Sequence, residues 1–161
     1  MSKEKTKNIL IIGIGNSGRS DDGLGWFMLD YIEKIFPELD LLYRYQLQIE
    51  DAEIISFYST IIFVDATKEK TENGFFFKPC YPNMGIGLTS HMLEPETVLW
   101  LENELYQTQP NTFVLGIEGE KWNLSTEPSQ TGLSNLDRAR HFFKNQFDMI
   151  LATDTQVEME K

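Results

Sequence analysis

Short unbroken apolar runs alternate along this chain with stretches in which apolar residues step by three and four. The first run, Ile9 to Ile12, lies in residues 7–14 and is closed by a glycine cluster, the mark of a buried strand ending in a tight turn. Leu24, Phe27, Met28, Tyr31, Ile32 and Ile35 follow at helical spacing, which predicts a helix over 22–35 that Pro37 ends. Residues 41–49 alternate partially and read as a second strand, and 50–57 as a short helix. Thr60 to Val64, TIIFV, is β-branched and free of polar residues after its start, so it is the expected central strand, closed by Asp65.

The second half repeats the pattern. Residues 74–78 are expected as a fourth strand, and 81–90 as a glycine-containing loop leading to His91. Pro95 suits the first turn of a helix running to residue 106. Residues 112–117 read as a strand and 119–132 as a loop. Ser134-Asn135-Leu136-Asp137 has the form of a capping box, with Leu136, Ala139, Phe143 and Phe147 as the buried stripe of the helix it opens. Residues 1–6 are expected to fray, and the polar tail from 153 to be mobile. Strands alternating with helices predict one α/β domain over 1–161, with a largely parallel sheet and a core over about 7–147.

Charge and cysteine content narrow the partners. A net charge of -11 argues against nucleic acid or an anionic membrane surface. No apolar run approaches a bilayer's thickness. The single Cys80 forms no internal disulfide and fits a reducing cytoplasm, as a small, partly buried residue.

Two kinds of chemistry compete for the first turn. Gly13, Gly15 and Gly18 match G-x-G-x-x-G after a strand and before a helix, the dinucleotide fingerprint. Against it, Asp21 and Asp22 would crowd a pyrophosphate, and no acid stands at the end of the second strand, ~20 residues on, to hold a ribose. The other reading joins Asp22 after the first strand, Asp65 after the central one and His91 after the glycine loop. Two carboxylates and an imidazole suit a borderline divalent ion such as nickel or zinc and leave coordination positions open. Taken singly, each of the three reads equally well as a cap, a turn residue or a loop residue.

GIGNSGRSDDGLG, FVDAT and LTSHMLEP, in that order and at these separations, resemble the hydrogenase maturation endopeptidases, and GIEGEKWNLSTEPSQTGLS is similar to that family's late loop. The resemblance covers residues 8 to 145. It implies a protease that removes the C-terminal extension of a nickel–iron hydrogenase large-subunit precursor after nickel insertion. It places the metal-contacting, catalytic residues at Asp22, Asp65 and His91. The nickel is expected to come with the substrate, with zinc or cadmium able to occupy the site in vitro. It also implies a three-layer α/β/α sandwich on a five-stranded sheet, with one antiparallel strand assigned to 74–78. A cytoplasmic monomer is expected. A dinucleotide-binding module and a non-catalytic binder of the precursor stand as the alternatives. Asp21 is expected to cap the helix or orient the site. Asn16 is a turn residue or a contact to substrate backbone, and His141 a structural or surface residue.

Overall fold

The computed structural model describes residues 7–84 and 93–159. Five strands, β1 (Lys7–Ile14), β2 (Asp40–Arg44), β3 (Tyr58–Thr67), β4 (Phe75–Pro79) and β5 (Asn111–Glu118), form one sheet in the order β2-β1-β3-β5-β4. All neighbours are parallel except β4, which runs antiparallel to β5. Among the described residues, four α-helices flank the sheet: α1 (Leu24–Ile35), α2 (Asp51–Ile55), α3 (Pro95–Tyr106) and α4 (Gln130–Met159). The antiparallel strand is the one that the motif resemblance assigned.

The period-two alternation of the strands divides the core in two. Ile9 and Ile11 of β1, with Ile62 and Val64 of β3, pack against Leu24, Met28, Leu29 and Ile32 of α1 and against Leu136, Ala139, Phe143 and Phe147 of α4. Leu10, Ile12 and Ile14, with Ile61 and Phe63, pack against Ala52 and Ile55 of α2 and Val98 and Leu99 of α3. The helices therefore lie in two layers, one on each face of the sheet. Because β1 and β3 are covered on both faces, they read as continuous apolar runs. Among the described residues, no helix is long and apolar enough to cross a membrane.

Several boundaries differ from those expected: β3 runs to Thr67, so Asp65 lies inside the strand rather than closing it, and three others bear on the site. β2 stops at Arg44, where its partner β1 ends at Ile14; the Arg44 carbonyl accepts from the Gly15 amide at 2.9 Å and from Trp26 Nε1 at 3.1 Å. The chain beyond turns outward, leaving Tyr45 and Ile49 exposed. The first helix is preceded by one turn of 3-10 helix, Ser20–Gly23, so α1 itself starts at Leu24. α4 starts at Gln130, before the expected capping box, and continues through Met159. Ser129 takes the capping role, its Oγ accepting the Gly132 amide at 2.9 Å.

Candidate functional site

The chain leaves β1 for β2 on one side and returns to β3 on the other. This reversal opens a crevice at the carboxyl ends of β1 and β3, the place where open α/β sheets bind ligands. Residues 15–22 form its first wall. Gly15 has φ +151°, and a Cβ there would meet the Asp22 carbonyl at 2.0 Å, so only glycine permits the turn. The amides of this turn are already engaged. Gly15 donates to Arg44, Asn16 to Asp22, Arg19 to Asn16, Ser20 to Ser125, Asp21 to Lys121 and Asp22 to Arg19, all through backbone carbonyls, and Gly18 donates to Asn16 Oδ1 at 2.8 Å. A dinucleotide needs such amides free to cradle its pyrophosphate, so this geometry disfavours that alternative. Asn16 fills the turn role.

Asp21 and Asp22 are adjacent in sequence but face different tasks. Asp21 is fully buried. Its carboxylate accepts from the amides of Glu120 at 2.6 Å, Lys121 at 3.0 Å and Ser129 at 2.8 Å, and from Ser129 Oγ at 2.6 Å. Burial alone pushes its pKa up, but these donors outweigh burial and hold it below the usual carboxylate value. Asp21 thus pins the late loop, 119–129, onto the glycine turn. Ser20 reinforces the seam: its Oγ donates to the Glu127 carbonyl at 2.9 Å, and it adopts a left-handed φ of 53°, a strained conformation for serine. Neither aspartate caps a helix through its side chain.

Asp22 stays half-buried. Burial raises its pKa, against the pull of the Arg19 and Lys68 cations. Asp65, near the end of β3, lies in the register row of Gly116 on β5. Its Oδ1 accepts the Ala66 amide at 2.8 Å. Desolvation, then the negative charges of Asp22 and Glu94, push its carboxyl up to about 7. The charge of Asp22 acts on Asp65, which puts two of the three expected residues within electrostatic reach of each other at the switch point. Asp65 opens into a cavity of about 320 Å³ that Lys68, Phe76, Lys78, Glu94 and Gly116 also line. His91 lies outside the described residues. Among the described residues, no three metal-binding side chains converge.

Several contributors were not legible from the sequence. Lys68 joins the pair as a counter-charge and sets its ammonium 5.3 Å from the centre of the Trp122 ring, tying the late loop to the end of β3. Glu94 immediately precedes α3, and nothing in its local pattern marks it. Ser129 was hidden by the stronger capping signature at Ser134. Cys80 is buried and its thiol is pushed up to about 12 by desolvation, then by Glu96, which leaves it unreactive. His141 is exposed on α4 with Nδ1 2.9 Å from the Asp137 carbonyl, far in sequence from either crevice wall.

No family model matches the sequence, and no curated protein matches it. Solved structures do. The NiFe-hydrogenase maturation protease HycI from Thermococcus kodakarensis KOD1 is 25% identical over 87% of this chain and 91% of that one, with a TM-score of 0.66. The hydrogenase maturating endopeptidase HybD from E. coli is 17% identical over 88% and 93%, with a TM-score of 0.67. A hydrogenase 2 maturation peptidase from a Thaumarchaeota archaeon is 18% identical over 88% and 99%, with a TM-score of 0.65. The fold of this chain is that of the hydrogenase maturation proteases, the family its motifs resemble.

Proposed function

Starting from this shared fold, we propose that the chain is an endopeptidase that trims the C-terminal extension from the large-subunit precursor of a nickel–iron hydrogenase. The supporting observation is Asp65 at the switch point of the sheet, opening into a cavity with its carboxyl raised to about 7 by burial and then by the nearby charge of Asp22. Asp22, Asp65 and His91 are the residues assigned to meet the nickel that the precursor already carries. The ion belongs to the substrate, and the protease recognises it as the sign that insertion is complete.

The chain's own groups supply the rest. Burial raises the Asp65 carboxyl to about 7, so it would give up its proton readily as the precursor's nickel docks, leaving a carboxylate to meet that ion. Lys68 offsets the negative charge that builds beside Asp22. Asp21 is no participant in the chemistry, because all its oxygen capacity is spent on the late loop. Thr89 and Ser90 lie outside the described residues and form no part of the mechanism.

The test is co-expression with a nickel-loaded large-subunit precursor, followed by intact mass. Loss of one C-terminal peptide supports the reading. An unchanged precursor mass refutes it, and an uncut precursor held in a stable complex points to a non-catalytic binder. Cutting of a precursor made without nickel removes the recognition role of the metal.

A further inference from the structure

β4 is the last strand of the sheet, and its hydrogen-bond phase can be read from its two flanking contacts. The Cys80 amide donates to the Thr112 carbonyl at 2.8 Å, and the Glu118 amide donates to the Gly74 carbonyl at 2.9 Å. In an antiparallel ladder, hydrogen-bonded pairs recur every second residue. The register pairs Phe76 with Gly116 and Lys78 with Val114, so these two residues bond inward to β5. Phe75 and Phe77 therefore aim their amides and carbonyls away from β5, where no described strand takes them. Pro79, which has no amide, ends this free edge.

Each face beside the edge sets an aromatic wall against a polar rim, which Glu69 and Lys78 supply on both sides. Phe75 and Phe77 pack on Phe142 of α4, with ring centres 5.1 and 5.3 Å apart. They line an open groove of about 470 Å³. On the opposite face the Phe76 ring lies over Gly116, where even a Cβ would meet it at 2.4 Å. Gly116 is the register partner of Asp65, so the bare glycine lets an aromatic wall reach toward the acid pair. Phe76, Lys78 and Glu69 line both the edge groove and the Asp65 cavity, which makes the two continuous.

Building on the proposed protease function, we infer that the free edge of β4 binds an extended segment of the precursor as an added strand, pairing with Phe75 and Phe77. Main-chain pairing supplies affinity, while the alternate side chains of the segment fall into the Phe142 groove or over Phe76. β4 begins at the carboxyl end of β5, so a segment leaving the edge at Phe75 emerges beside the crevice. Asp65 on β3 stands three strand spacings from the added strand, roughly 14 Å. About four extended residues bridge that gap, so the paired segment lies about four residues from the bond that is cut.

The experiment is hydrogen exchange on the full chain with a saturating synthetic peptide of the precursor's C-terminal ~20 residues, enough to reach both crevice and edge. The Phe75 and Phe77 amides should slow about tenfold, as expected for one new strand hydrogen bond each, while Phe76 stays unchanged. Unchanged exchange at Phe75 and Phe77 overturns the inference. Phe77→Pro removes one outward donor and spares the ladder to β5, and Phe77→Leu keeps that donor while losing the ring. Precursor cutting should fall about tenfold further in F77P than in F77L, because both lose the ring and only F77P loses the donor. Equal cutting by both variants also overturns it. A wild-type chain that cuts while its edge amides stay unprotected refutes strand addition alone; one that never cuts refutes the proposed function and the inference with it.

Discussion

The Ser129 hydroxyl works in two directions: it accepts the Gly132 amide at 2.9 Å, capping α4, and donates to Asp21 Oδ2 at 2.6 Å. One side chain thus ends the late loop, starts the last helix and anchors both to the turn after β1. Asp21→Ala leaves four donors without their acceptor and should cost about 2–4 kcal/mol. Ser129→Ala should cost about 1–2 kcal/mol. The double variant should lose less than the sum, because both remove the same contact. Because folding lowers the Asp21 pKa, its contribution is present above the ordinary value of 3.8 and is lost as pH falls through the folded value. Urea melts from pH 3 to 7 should show an acid-side fall in the wild type that D21A lacks in part.

Asp65 behaves in the opposite sense. Its pKa is raised to about 7, so the folded chain holds a proton that the unfolded chain releases near 3.8. Wild-type stability should therefore fall as pH rises through that window. Asp65→Asn abolishes the charge and should be more stable than wild type at pH 8 by roughly 1–3 kcal/mol, discounted for partial exposure. The gap should close toward pH 4, and precursor cutting should be lost. A variant that melts identically to wild type at both pH values would contradict the burial of this carboxyl.

Asp22→Asn should leave the precursor uncut at a stability within about 1 kcal/mol of wild type, since Asp22 bears no hydrogen-bond load like that of its neighbour. His91→Ala should give the same phenotype in intact-mass assays. Normal processing by either variant removes that residue from the site.

His141→Ala should process precursor normally and melt within about 0.5 kcal/mol of wild type, because the imidazole is 71% exposed on α4. A dead variant would mean that the wrong histidine has been assigned to the crevice.

The strands and both crevice acids were legible because each is local. β-branched runs mark β1 and β3; Asp22 lies in the turn after β1, and Asp65 directly follows the TIIFV run inside β3. The parallel sheet followed from strand and helix alternation, but the reversal of β4 rested on motif resemblance, since no periodicity encodes strand direction. Asp21 could not be read locally: its partners lie 99 to 108 residues away, and DD before an apolar run reads as a helix cap. The start of α4 was misplaced for a related reason. Ser134 has the stronger local signature, while Ser129 is selected by a buried carboxylate from the other end of the chain.

That long reach between Asp21 and Ser129 has a temporal consequence. A ribosome that has released only the first hundred residues has already made both acids of the crevice, but not the loop that seats one wall of it. Residues 119–129 emerge after both acids, and until they do Asp21 lacks the partners that bury its carboxylate. A chain that stops short of Ser129 thus carries both acids without the loop that seats one wall of their crevice.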